Sequence, residues 1–307
     1  MTLSSSDSLE SAETLFQKIH RIEIQSARLA TNVLAGAYRS AFKGRGIEFS
    51  EVREYVPGDD VRTIDWSVTA RMDRPFVKSF QEERDLTMFL VVDRSASCNF
   101  GSGQSLKSTW IAEIAAVLAF SAIKNHDRVG LIIFSDKVDL YLPPSKGLRH
   151  VLRVIRELLV ERPYPHDVQA SGSALKQALV LLEKTQVHSS ICFVLSDFLS
   201  DGYQKAMQRT SIKHELINLC IVDPLEKEFP NIGLACVTDL ETREQAIIDT
   251  TPEALSQFAL KAAERLKSQE RWMKKMGLGW IELQTNQPYI PLLRQFFKER
   301  GLRDNEN

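Results

Sequence analysis

Asp93, Ser95 and Ser97 stand at alternate positions where the apolar run MFLVV gives way to a small polar loop. One carboxylate and two hydroxyls in that spacing are hard oxygen donors, suited to a small hard cation. Two other segments carry matching chemistry. SICFVLSDF closes a second apolar run at Asp197, and SGSALKQAL sets Ser173 at a helix start. Low-charge donors of this kind suit Mg²⁺ (or Mn²⁺), since Mg²⁺ retains several of its own waters. Each position also has an ordinary structural use. Asp93 and Asp197 serve as loop caps at strand ends, Ser95 and Ser97 as small turn residues, and Ser173 as a helix N-cap. Their joint occurrence, at edges that one topology would juxtapose, favours the metal reading.

Other chemistries for the same loop lack a part. Gly101-SGQSL-Lys107-Ser108 nearly spells a phosphate loop, but Leu106 replaces the second glycine, where a side chain blocks the cradle. An aspartyl phosphatase wants a second carboxylate two residues on, and Ser95 stands there. A serine hydrolase wants GxSxG around its nucleophile and a histidine after a strand, and neither is present.

The elements that must position these residues follow from hydrophobic patterning. Phe16, Ile19, Ile22 and Leu29 mark a helix over about 9–38. The block from Gly44 to Asp85 is dense in both charge signs, with a Pro57-Gly58 turn and short exposed strands at 47–49 and 77–80. From residue 86, apolar strands alternate with helices: LTMFLVV, a helix near 105–125, VGLIIF, VDLYL, helices near 147–160 and 173–185, SICFVLS, a helix near 202–210, and HELINLCIV. Continuous apolar runs predict strands buried on both faces, hence a doubly wound, mostly parallel α/β sheet flanked by helices. In such a sheet ligands gather at the carboxyl ends of strands near the topological switch point. The hairpin LACVTDLETREQAIIDT, a helix over 252–275, the strand GWIELQ and a last helix complete the chain. This divides it into an N-terminal extension (1–85), a core with the metal site (86–225) and a C-terminal completion (226–307).

Composition narrows the class. The chain has 307 residues, 43% hydrophobic and 26% charged, with a formal charge of −1, so its total charge attracts neither nucleic acid nor membrane. No apolar run approaches the roughly 18–20 residues of a membrane span, and the polar N-terminus lacks a secretory pattern. Cys98, Cys192, Cys220 and Cys236 form no CxxC pair and read as buried reduced thiols. A cytoplasmic protein is expected.

Asp93-Arg-Ser95-Ala-Ser97 after one buried strand, with Asp197 in LSDF after another, resembles the metal-ion-dependent adhesion site (MIDAS) of von Willebrand factor A-like domains. The block GRGIEFSEVREYVPGDDVRTIDWSVTARMDRPFVKSFQEERD, with DRVGLIIFSDKV and LPPSKGLRHVLRVIREL, resembles bacterial domain-of-unknown-function family 58 (DUF58) over roughly residues 20–300. The resemblance implies a von Willebrand A-like α/β domain behind an N-terminal extension. It further implies Asp93, Ser95, Ser97, Ser173 and Asp197 as metal ligands, and a MoxR-type AAA ATPase as partner. Ser173 holds a place usually taken by threonine, and Ala174 follows where an acid is usual. The expected function is a non-enzymatic, Mg²⁺-gated protein-binding module that takes a partner carboxylate and assists in assembly or maturation of a client protein. The alternatives are a metal-assisted hydrolase or phosphotransferase, with Asp136 and Asp223 near strand ends, or a scaffold with a vestigial site. The 44–85 block reads either as a self-paired charged surface or as a docking face anchored by Arg and Trp.

Overall fold

The computed structural model describes residues 25–30, 34–42, 47–72, 74–82, 86–103, 105–160, 173–241 and 243–305. Of the expected first helix, residues 25–29 are helical and α1 covers Ala35–Ala41, while Phe16, Ile19 and Ile22 lie outside the described residues. The charged block forms an antiparallel pair, β1 (Ile47–Glu54) and β2 (Phe76–Glu82), with a short helix α2 (Trp66–Met72) between them. Arg53 grips Asp59 with two hydrogen bonds of 2.8 and 2.7 Å, and Arg62 pairs with Asp60 and Arg74 with Glu54. Solvent screens such surface pairs, so they add little to stability. Trp66, Val56, Val61 and Met72 of this block stay exposed, so it combines paired charges with an apolar surface.

The remaining chain runs β3 (Thr87–Asp93), α3 (Lys107–Lys124), β4 (Arg128–Phe134), β5 (Val138–Ser145), α4 (Leu148–Leu159), α5 (Ala174–Thr185), β6 (Ile191–Ser196), α6 (Gln204–Thr210) and β7 (Glu215–Val222). It ends with the hairpin β8 (Leu234–Thr238) and β9 (Gln245–Asp249), α7 (Pro252–Lys275), β10 (Gly279–Gln284) and α8 (Tyr289–Asn305). Six strands form one sheet in the order β10-β7-β6-β3-β4-β5. All neighbours are parallel except β4 and β5. Only residues 135–137 join that pair, too short for the crossover a parallel connection needs. The molecule is therefore a mixed α/β fold with a mostly parallel central sheet flanked by helices.

Alternation within the apolar runs divides the core. Met88, Leu90 and Val92 pack on one face with α1, α3, α4 and α8; Phe89 and Val91 pack on the other with α5, α6 and α7. On the first face Tyr38 and Phe42, from α1 and its C-terminal end, meet Phe297 of α8 at 5.9 and 5.8 Å. Both ends of the described chain thus close the same layer. From β3 the chain moves to β4 on one side, and from β6 it moves to β7 on the other. The loops leaving β3 and β6 diverge, which opens a crevice at their carboxyl ends.

Cys98, Cys192 and Cys220 are buried and free, as expected, but Cys236 is exposed because β8 belongs to the separate hairpin. Among the described residues no helix is long and apolar enough to cross a membrane.

Gly130 of β4 sits opposite Phe89 of β3, and a Cβ added there would lie 2.5 Å from the buried Phe89 ring. Gly130→Ala is expected to cost about 1–3 kcal/mol, as overpacking does. Urea denaturation checks this, and adding Phe89→Leu should return much of the loss. Equal midpoints for wild type and Gly130→Ala would show that the ring yields freely.

Candidate functional site

Register and side-chain parity build the site. Val92 pairs with Leu195 in the β3–β6 ladder, so Asp93 and Ser196 come next on adjacent strands. Both fall on the face that carries Val91 and Val194, and there the Ser196 hydroxyl donates to Asp93 Oδ2 at 2.5 Å. The Ser95 N–H donates to Asp93 Oδ1 at 2.8 Å, so the loop wraps back on the carboxylate it follows. The Ser95 and Ser97 hydroxyls lie 3.0 Å apart. Arg94 points away and donates to the Leu158 and Val160 carbonyls, both at 2.8 Å, anchoring the loop to the end of α4.

Asp197 follows β6 and is 4% exposed, beside Asp93 at 5%. The next residue, buried Phe198, has φ +52°, a left-handed conformation uncommon outside glycine. Such strain persists where surrounding contacts enforce it, here rings of Tyr203 and Trp280 at 5.8 and 5.5 Å. Ser173 is the N-cap of α5, accepting the Lys176 N–H at 3.3 Å. All five expected residues, Asp93, Ser95, Ser97, Ser173 and Asp197, line one cleft of about 880 Å³. Leu175, Phe229, Val237, Leu255 and Phe258 give that cleft an apolar wall.

Several determinants escaped the sequence reading. Lys107, the first residue of α3, is fully buried; its Nζ donates to Asp197 Oδ2 at 2.9 Å and Glu226 Oε1 at 2.6 Å. A lysine in the first turn opposes the helix dipole, and that misplacement was the available signal of a carboxylate partner. Burial alone would depress its pKa, but Asp197 and then Glu226 hold the ammonium protonated above its ordinary range. Glu226 Oε2 accepts the Asp223 N–H at 2.9 Å. Asp223 is consumed by Ser102 Oγ at 2.5 Å, Thr285 Oγ1 at 3.0 Å and the Leu225 N–H at 3.0 Å. Burial pushes its carboxyl up, but these hydrogen bonds outweigh it and set the pKa low. Asp223 thus fastens the loop before α3 to the ends of β7 and β10. Glu241, in the β8–β9 turn, accepts the Ser97 N–H at 2.9 Å across 144 residues.

Lys107 is committed to Asp197 and Glu226, and the neighbouring Asp93 is raised: burial first, then Asp197, pushes its pKa up to about 7. Hydrogen bonds from Ser196 and Ser95 oppose the rise without reversing it. Among the described residues no group of three or more His, Cys, Asp or Glu is arranged to hold a metal. A cation here would rest on two carboxylates and hydroxyls. Such hard, low-charge oxygen donors fit Mg²⁺ by type, with Asp93, Asp197 and the Ser95, Ser97 and Ser173 hydroxyls as the residues that would hold it.

Two outcomes follow. Lys107→Met removes the ammonium and leaves two carboxylates uncompensated, at an expected cost of about 3–5 kcal/mol measured by chemical denaturation. For Asp93 the folded pKa lies above the unfolded value of about 3.9, so its stability contribution is present at low pH and lost as pH rises through about 7. In EDTA, Asp93→Asn should therefore melt higher than wild type at pH 8, with the difference closing toward pH 4. A pH-independent difference would contradict this assignment.

The family model described as protein of unknown function DUF58 matches residues 51–268. An uncharacterized protein of Mycobacterium tuberculosis is 26% identical over 283 residues, 92% of this chain and 88% of its own length. The uncharacterized protein YeaD of Bacillus subtilis is 27% identical over 111 residues, 36% of this chain and 26% of its own. The crystal structure of the conserved hypothetical protein BatB from Bacteroides thetaiotaomicron is similar over 71% of this chain and 99% of its own, at 14% identity and a TM-score of 0.43. With β3, β6, Lys107 and the β8–β9 hairpin all inside the matched span, the chain belongs to the DUF58 family.

Proposed function

We propose that this chain is a non-enzymatic, metal-gated protein-binding module of von Willebrand factor A-like type. Asp93, Ser95 and Ser97 would hold Mg²⁺ (or Mn²⁺) with Asp197 and Ser173 across the crevice. A bound ion would supply net positive character and an exchangeable water position that accepts a carboxylate oxygen. The observation that carries the reading is the pair of buried carboxylates, Asp93 and Asp197, at the β3–β6 switch point, beside the Ser95 and Ser97 hydroxyls in one cleft. The protein's own side chains do the rest. Lys107 holds Asp197 in place, Ser196 and the Ser95 amide orient Asp93, and the apolar wall excludes water around the captured group.

The partner in this reading is a MoxR-type AAA ATPase, working with this chain on a client protein, as the resemblance to DUF58 proteins implies. Asp136 favours a second reading, metal-assisted hydrolysis: it lines the same cleft, and burial and Asp139 raise its carboxyl. Asp223, the other carboxylate considered as a base, is occupied by its hydrogen bonds.

Affinity purification from the native cell tests the proposal, comparing wild type with Asp93→Ala, with and without EDTA. The ATPase should be recovered with wild type in Mg²⁺ and lost at least about tenfold on either change. Equal recovery in all arms rejects metal gating. Phosphoester turnover that needs both Mg²⁺ and Asp93 would replace it with the hydrolase reading.

A further inference from the structure

Among the described residues the β8–β9 hairpin forms its own two-stranded sheet, separate from the six-stranded one. A two-stranded hairpin of this kind is marginal alone and depends on what it leans against. Its base is clamped: buried Thr250 donates to the Gly233 carbonyl at 2.7 Å and accepts the Ile232 N–H at 2.9 Å. Gly233 turns the chain at that base with φ +76°, a left-handed conformation that glycine takes without strain. From there the strands reach over the cleft, with Val237 and Ile248 on one hairpin face lining it. The turn is internally braced, because the Glu241 N–H donates to Asp239 Oδ1 at 2.8 Å and the Arg243 N–H to the Asp239 carbonyl at 2.9 Å. This bracing presents Leu240 and Glu241 to the cleft, where both are lining residues. Glu241 Oε1 accepts the Ser97 N–H at the mouth of the candidate metal loop.

A carboxylate at that point is unexpected on charge alone. The same cleft holds Asp93, Asp197, Asp136 and Glu226, and their field opposes another anion. The seat is instead specific, a backbone donor on the loop that carries Ser95 and Ser97, with an apolar neighbour against an apolar wall.

We infer that the hairpin tip, Leu240-Glu241, is a built-in competitor for the site, and that the partner's docking segment carries the same pair, a bulky apolar residue beside a carboxylate. The inference rests on the proposed capture of a partner carboxylate at this cleft and adds the chemistry of the segment and what it displaces. The tip closes the cleft until an incoming segment takes its place. Glu241 lies exposed at a turn, so substituting it leaves the core intact.

The test uses the full chain and its Glu241→Ala variant, with a synthetic peptide of sequence TDLETREQ as probe and a second peptide bearing Gln for its first Glu. Titration calorimetry in millimolar Mg²⁺ should show the first peptide binding Glu241→Ala about tenfold or more tightly than wild type, since a tethered competitor is removed. The Gln peptide should bind neither. Hydrogen exchange at the Ser97 amide should also be about tenfold faster in Glu241→Ala, in EDTA as well as in Mg²⁺. Equal peptide affinity for the two proteins, or unchanged Ser97 exchange, overturns the inference. The exchange arm needs no metal, so it judges the hairpin contact even where Asp93→Ala and EDTA leave partner recovery unchanged and metal gating falls.

Discussion

The ammonium of Lys107 is the contact on which the carboxyl edge of the sheet depends. It sits fully buried in the first turn of α3, against the helix dipole, and is tolerated only because Asp197 and Glu226 surround it. The pairing ties three parts of the chain. Lys107 starts the helix after β3, Asp197 ends β6, and Glu226 follows β7 while also holding the Asp223 amide. Asp223 in turn reaches Ser102 and Thr285, which brings in the loop before α3 and the end of β10. Four parallel strand ends are thus positioned through one ammonium and three carboxylates. Replacing the cluster by apolar side chains of equal volume would cost the fold little, but it would dissolve the edge geometry.

Around that clamp the site is kept poorly balanced. Asp93 is buried beside Asp197 without an ammonium of its own, and its raised pKa records the strain. Phe198, in a left-handed conformation directly after Asp197, adds backbone strain at the same edge. Both lie at the topological switch point, where diverging loops leave a crevice. Along the body of β3, by contrast, Phe89, Leu90, Val91 and Val92 are fully buried among apolar neighbours. Stability is concentrated in the layers, and the buried carboxylates at the edge of β3 and β6.

The fold was legible because its strands are short continuous apolar runs, and alternate residues of a run such as MFLVV must serve two buried faces. The positions of Asp93, Ser95, Ser97, Ser173 and Asp197 at one cleft follow from strand ends and a helix start, both local features. The antiparallel turn of β5 was legible only in the brevity of residues 135–137. What stayed hidden depends on distant contacts. Lys107 looked like the remnant of a phosphate loop, since nothing near it in sequence reveals that its partners lie 90 and 119 residues away. Asp223 looked like a candidate base because three of its four hydrogen bonds come from Ser102 and Thr285, 121 and 62 residues away. Glu241 looked like one acid in an ordinary hairpin turn, and only the path of β8 and β9 over the cleft brings it to Ser97.

The hairpin and the proposed cation constrain one another. Without a cation, the exposed Glu241 carboxylate is held at the loop by the Ser97 amide, a contact that a modest competitor displaces. A cation bound in the cleft would offset its negative charge and strengthen the hold on any carboxylate at the rim. It would do so for Glu241 and for a partner's acid alike. A ligand that favours two states equally shifts nothing between them, however tightly it binds. Metal therefore sets how strongly the cleft holds an acid, but not which acid it holds. That choice falls to the residue beside the carboxylate and its fit against Leu175, Leu255 and Phe258. On this wall an incoming segment must pack better than Leu240 to open the hairpin.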